Sequence, residues 1–209
     1  MKILNLYCGI GGNRKMWGNE HQITAIENKA EIAKIYADFF PNDKVIVADA
    51  HKYLLEHYEE FDFIWSSPPC PTHSRARYAI ACSEYGKEKG VHKPIFPNMK
   101  LYEEIIFLQG YFKGKYVVEN VLPWYKPLIP AQQIGSHLFW MNFYVPDISN
   151  GCREHNGTID VLEKRKGLSL KDYNGIDKRL ALRNCVEPEI GKQILEYAIN
   201  PIEKQKKLL

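Results

Sequence analysis

Short apolar runs recur through the first two-thirds of the chain, and helix-spaced patterns separate them. Lys2–Leu6, Ile23–Glu27, Lys44–Ala48, Phe61–Ser66 and Lys115–Glu119 read as strands. Ala30–Phe40 places Ile32, Ile35, Tyr36 and Phe39 on one helical face before Pro41 stops it. Asn98–Phe112 does the same with Leu101, Ile105, Leu108 and Phe112. This alternation predicts an α/β domain with a mostly parallel central sheet and helices on both faces. A β-rich stretch follows at Leu138–Val145, and a polar, glycine-punctuated segment from Asp147 to about Asp177 has weak periodicity. A helix over Pro188–Ile199, with proline at its start, closes the pattern, and the tail Lys204–Leu209 is expected to fray.

Composition narrows the class without naming a function. At 209 residues, 45% hydrophobic and 25% charged, the chain suits one well-buried core plus a small appendage. No apolar run approaches membrane-spanning length, and the N-terminus reads as a first strand, not a signal peptide. Five scattered cysteines without metal-ligand spacing predict free thiols, no metal, and a cytoplasmic or nucleoid-associated location, not a secreted one. A net charge of +3 is too small to mark a nucleic-acid binder. Between Pro71 and Lys100, however, six basic residues including Arg75 and Arg77 face only Glu84 and Glu88. That run is either a solvated loop or a phosphate-contacting surface.

The first strand ends in Leu6-Tyr7-Cys8-Gly9-Ile10-Gly11-Gly12, where glycines permit a tight turn and close approach to a ligand. The lysine-serine/threonine ending of a phosphate loop is absent, since Asn13-Arg14-Lys15 follows. The second strand ends in Glu27, suited to ribose hydroxyls, and the third in Asp49, suited to an adenine amine. Each acid alone is equally a solvated strand end or a helix cap. Together the three strand ends point to an adenosine-containing cofactor without phosphates, for which S-adenosyl-L-methionine fits better than a dinucleotide.

The fourth strand ends in Ser66-Ser67-Pro68-Pro69-Cys70. Two prolines stiffen the exit and aim whatever follows. Cys70 is either a nucleophile, with His73, Arg75 and Arg77 placed to lower its pKa, or a free cysteine beside a structural turn. The fifth strand supplies Val117-Val118-Glu119-Asn120-Val121, so Glu119 can meet Cys70 across neighbouring strand ends. A thiol and an acid beside a methyl donor suit C5 of cytosine. Thiolate addition at C6 makes C5 carbanion-like, and an acid hydrogen-bonded at N3 and the amine stabilises the adduct.

Tyr7-Cys8-Gly9-Ile10-Gly11-Gly12, Pro68-Pro69-Cys70, Glu119-Asn120-Val121 and Asn184-Cys185-Val186 stand in the order found in the DNA cytosine-5 methyltransferase family, which the chain resembles along nearly its whole length. The resemblance implies a Rossmann-like, S-adenosylmethionine-dependent methyltransferase fold, with residues 1–146 catalytic and cofactor-binding, 147–182 a reduced target-recognition region and 183–209 a returning C-terminal helix. It implies Cys70 as nucleophile, Glu119 as the acid and Asn120 as a structural support. Cofactor contacts are implied for Tyr7 (packing on the adenine), Cys8, Gly9, Ile10, Gly11, Gly12, Glu27, Asn28, Asp49, Ala50, Pro68, Asn184 and Val186. The implied partner is double-stranded DNA with its target cytosine flipped out.

The chain departs from the family pattern at four places. Pro71-Thr72-His73-Ser74 replaces the usual residues at the start of the mobile loop that closes over the base. Gln133-Ile134-Gly135-Ser136-His137 lacks both arginines of a Gln-x-Arg-x-Arg motif, leaving His137, Arg75 or Arg77 to serve with Pro69 and Ser74 as substrate contacts. Arg183 stands where glycine is usual. The target-recognition stretch is very short, which predicts a short recognition sequence or a helper subunit. An RNA or exocyclic-amine methyltransferase, and a partner-dependent or non-catalytic subunit of a two-chain methylase, are the competing readings.

Overall fold

The computed structural model describes residues 1–88, 95–148 and 157–202; the expected fraying of Lys204–Leu209 and the basic residues Lys89, Lys93, Arg153 and His155 lie outside them. Seven strands form one sheet: β1 (Lys2–Leu6), β2 (Gln22–Glu27), β3 (Lys44–Val47), β4 (Phe63–Ser66), β5 (Lys115–Val121), β6 (Gln132–Ile134) and β7 (His137–Met141). Their spatial order is β3-β2-β1-β4-β5-β7-β6. The first five run parallel, and β7 enters antiparallel to both β5 and β6. The order reverses between β1 and β4, which creates the crevice at their carboxyl ends where ligands settle in such sheets.

The strands read as continuous apolar runs because both faces are covered. Leu4, Ile64, Val118 and Trp140 turn to one side, against α2 (Ala50–His57) and α5 (Lys100–Tyr111). Ile3, Phe63, Trp65, Val117 and Phe139 turn to the other, against Ile190, Ile194 and Leu195 of α8 (Pro188–Ile199). The remaining helices are α1 (Ala30–Phe39), α3 (Arg75–Ala81), α4 (Glu84–Glu88), α6 (Ile159–Lys166) and α7 (Lys178–Arg183).

Helices α2, α3, α4, α6 and α7 and strand β6 escape the sequence pattern. α2 is short and its apolar stripe is thin, so its start rests on Asp49, whose side chain caps the Lys52 amide. α6 and α7 arise inside the segment read as aperiodic. Thr158 and Asp177 cap them, and Leu162, Leu168, Leu170 and Leu182 bury with Ala25, Ile35 and Tyr36 beside the sheet. Part of the stretch 147–182 thus shares its core with the cofactor end of the molecule. Lys166 is buried there, donating to the Cys185 carbonyl at 2.6 Å and pairing with Glu187 at 2.7 Å.

Candidate active site

The glycine turn after β1 is set by backbone requirements. Tyr7, Gly9 and Gly11 all have positive φ, at 55°, 53° and 85°. A Cβ on Gly11 would run into the Phe40 ring at 2.2 Å, and one on Gly12 into the Val186 carbonyl at 2.6 Å and Cys185 Cβ at 2.7 Å. Nothing stands within 4 Å of a Cβ placed on Gly9. The turn is therefore packed tight beneath and behind, and open at Gly9. Glu27 holds it, with one carboxylate oxygen accepting from Gly9 N at 3.1 Å and the other from Lys29 N at 3.1 Å.

Beside this turn lies an open cleft of about 140 Å³, lined by Tyr7, Asn28, Asp49, Ala50, Pro68 and Pro69 from the strand ends. Five further residues line it that sequence reasoning did not assign to a ligand: His51, His73, Asn98, Lys100 and Leu101. Cys8 and Ile10 sit instead in the core under α1, and Gly11, Gly12, Glu27, Asn184 and Val186 are outside the lining. The Asp49 carboxylate caps the start of α2 and also faces the cleft. An anion at that helix start disfavours a phosphate and favours an amine, so the donor set fits an adenosine with a cationic amino-acid tail.

Tyr7 reaches away from its own turn to Glu104, donating its hydroxyl at 2.5 Å. Glu104 is fully buried on α5, and it also accepts from the Ser66 hydroxyl at 2.6 Å and meets His51 Nδ1 at 3.0 Å. One carboxylate thereby ties the ends of β1 and β4 to the start of α2. Burial, reinforced by Glu104, raises the Tyr7 pKa far above the phenol range and keeps the hydroxyl a donor. The hydrogen bond to Glu104 raises the His51 pKa. Sequence reasoning missed Glu104; an acid among Leu101, Ile105 and Leu108 on one helix stripe is the signal that could have found it.

Cys70 sits half-buried past the end of β4, in a turn closed by the amides of His73 and Ser74, both donating to its carbonyl at 3.0 Å. Ser66 and Val118 are register partners, which brings Glu119 on β5 into electrostatic range of the thiol. Asn120 donates to the Pro68 carbonyl at 2.9 Å and accepts from Val121 N at 3.0 Å, so β5 fixes the Pro-Pro mount directly. His137, opposite Val121 in the register, approaches Glu119 to 3.5 Å.

Two expectations are corrected here. Cys70 is not acidified by its neighbours: burial, then the Glu119 charge, push its pKa up to about 11, with Arg183 the side chain that opposes them. His73 turns away to Tyr125, while Arg75 and Arg77 are carried off, exposed, on α3. The segment after Cys70 is also a docked helix entry, not an open loop. Ser74 caps α3 through Arg77 N and bridges Pro123, Arg75 N donates to the Leu122 carbonyl, and Trp124 Nε1 donates to the Thr72 carbonyl. Tyr78 stacks on Trp124 with ring centroids 4.6 Å apart.

No protein of curated function matches the chain by sequence. Among solved structures, an Entamoeba histolytica methyltransferase aligns over 98% of this chain and 99% of its own, at 13% identity and a TM-score of 0.53, which supports a shared fold. A Spodoptera frugiperda DNMT2 variant aligns at 23% identity over 57% of this chain and 35% of its own, with a TM-score of 0.39. A prophage-encoded DNA modification methyltransferase of E. coli described as putative aligns at 17% over 60% and 33%, with a TM-score of 0.37; overlaps of that quality carry no weight. The family model for C-5 cytosine-specific DNA methylase matches residues 1–96, which span the glycine turn, Glu27, Asp49 and Cys70. The sheet is that of a Rossmann-like methyltransferase, S-adenosylmethionine is the cofactor the family match supports, and the resemblance to the DNA cytosine-5 methyltransferase family is borne out over residues 1–96.

Proposed function

We propose that the protein methylates C5 of cytosine in DNA through covalent addition of Cys70 to C6. The observation that supports this reading is that Glu119, on the strand beside β4, lies within electrostatic range of the Cys70 thiol, just past the Pro68-Pro69 wall of the cleft. S-adenosylmethionine supplies an electrophilic methyl group, and Tyr7, Asn28, Asp49, Ala50 and Pro68 are the residues proposed to hold it. Cys70 adds to C6, C5 takes the methyl group, and loss of the C5 proton then expels the Cys70 thiolate and restores the ring. Glu119 holds the cytosine at N3 and the exocyclic amine, and His137 at 3.5 Å orients that acid. Asn120 keeps the thiol aimed by tethering Pro68. A thiol with a pKa near 11 needs help to ionise, so charge brought in by bound partners belongs to the mechanism.

Arg75 and Arg77, exposed on the helix that begins five residues past Cys70, at Arg75, are proposed to contact DNA phosphates. Leu162, Leu168, Leu170 and Leu182 are committed to the core, which takes those positions of the already short stretch 147–182 away from base reading. A short recognition sequence or a helper subunit follows. The test uses duplex DNA carrying 5-fluorocytosine, on which the C5 substituent cannot be eliminated after methylation. With S-adenosylmethionine present, a denaturation-resistant protein–DNA adduct is expected from the native protein and none from Cys70→Ala. An adduct with RNA alone would move the acceptor, and the absence of any adduct with either nucleic acid would overturn the covalent reading.

A further inference from the structure

His73 is the side chain in this region whose chemistry the methyl-transfer reading leaves unused. It is 1% exposed, and its backbone is spent on the fold: its amide closes the Cys70 turn and its carbonyl accepts from Trp124 N at 3.1 Å. The ring is held at one nitrogen only. Nδ1 lies 2.6 Å from the Tyr125 hydroxyl, that hydroxyl lies 3.3 Å from the Tyr102 hydroxyl, and the Leu128 amide donates to Tyr102 at 3.2 Å.

Leu128 N–H can only donate, so the Tyr102 oxygen accepts there. Two hydrogen arrangements then fit: Tyr102 donates to Tyr125 and Tyr125 to His73 Nδ1, which makes the ring the Nε2–H tautomer, or His73 Nδ1–H donates to Tyr125 and the Tyr102 proton is left without an acceptor. The first keeps both tyrosine protons bonded and is therefore favoured. Burial draws the His73 pKa below the ordinary imidazole value, which keeps the ring neutral, and the Asn98 carbonyl opposes this from outside hydrogen-bonding geometry. Among the described residues Nε2 has no hydrogen-bond partner, although it is fully removed from solvent. A buried donor left in that state is costly unless something meets it.

The same ring lines the cleft that holds Tyr7, Asn28, Asp49 and Lys100. We propose that His73 is a cofactor-binding residue, donating its Nε2–H to an acceptor atom of the S-adenosylmethionine in that cleft. The inference rests on the cofactor placement above, and it adds a contact that no strand end supplies. It also couples two sites, because the residue whose ring meets the cofactor has the amide that closes the Cys70 turn.

The competing role is structural, with the ring settling onto the Asn98 carbonyl. Titration calorimetry of S-adenosylhomocysteine separates the two. His73→Phe keeps the ring volume and removes the donor, and it is expected to weaken binding about tenfold or more. Repeating the titration with 5′-methylthioadenosine, which lacks the amino-acid tail, locates the acceptor: loss with both ligands places it on the adenosine, loss with S-adenosylhomocysteine alone places it on the carboxylate. Should His73→Phe fold poorly, long-range ¹H–¹⁵N spectra of the ¹⁵N-histidine-labelled native protein give the answer directly. The His73 ring is expected in the Nε2–H form, with that nitrogen shifting as S-adenosylhomocysteine is added. An Nε2 that stays unmoved at saturation, or unchanged affinity in folded His73→Phe, would overturn the proposal. A native protein that fails to bind S-adenosylhomocysteine would instead overturn the cofactor placement on which it rests.

Discussion

The ionisation of Cys70 offers the sharpest quantitative test of the site, because its environment opposes the reactivity the chemistry requires. Burial and the Glu119 charge set its pKa near 11. A thiol of that pKa is about 0.001 thiolate at pH 8 and about 0.09 at pH 10, so its alkylation accelerates roughly 90-fold over that interval. An unperturbed cysteine with a pKa of about 8.5 goes from about 0.24 to about 0.97, a gain of only about fourfold. The assay is iodoacetamide labelling at a series of pH values, with the Cys70 peptide followed by mass spectrometry. Glu119→Gln removes the neighbouring negative charge and should move the Cys70 profile to lower pH, leaving the burial contribution in place. A native profile with only a fourfold gain, or a Glu119→Gln profile displaced to higher pH, refutes the account of the site's electrostatics.

Two further outcomes follow from the packing around the cleft. Gly191 of α8 faces the backbone of the turn after β1, and a Cβ there would lie 2.3 Å from the Asn13 carbonyl oxygen. Gly191→Ala should therefore cost about 1–3 kcal/mol, lowering Tm by a few degrees to about 10 °C in thermal denaturation, and an unchanged Tm would contradict the contact. The His51 pKa is raised chiefly by its hydrogen bond to Glu104, so this pair stabilises the fold fully below the unfolded histidine pKa of about 6.5, and the contribution is lost as pH rises through the higher folded value. Urea unfolding at pH 6 and pH 8 should show that decline in the native protein and a smaller one in His51→Gln; equal declines would remove the pair from the account.

Much of the molecule can be read directly along the chain. Five parallel strands carry apolar residues on both faces because helices cover both, and a short apolar run bounded by turns is a local signal. The glycines of the first turn are legible for a similar reason: positive φ at Gly9 and Gly11 is a conformation glycine adopts at least cost, although Tyr7 adopts it in the same turn. Cys70 and Glu119 were each visible as chemistry at a strand end. That Glu119 comes within electrostatic range of Cys70 follows from a parallel sheet, in which neighbouring strands finish on the same side.

Tertiary structure decided the rest, and the reason is the same in each case. Glu104 stands 97 residues from Tyr7 and 53 from His51, so no local pattern announces that one buried carboxylate will join them. The pKa of Cys70 depends on how much water the fold removes and which charges it leaves nearby, and basic residues close in sequence proved to be carried away on α3. The helices between Thr158 and Arg183 form because four leucines find a core beside α1, not because their own periodicity is strong. What the sequence by itself determined is which groups stand at the ends of which strands. Their ionisation, their partners, and the unpartnered Nε2 of His73 depend on distances that only the folded chain sets.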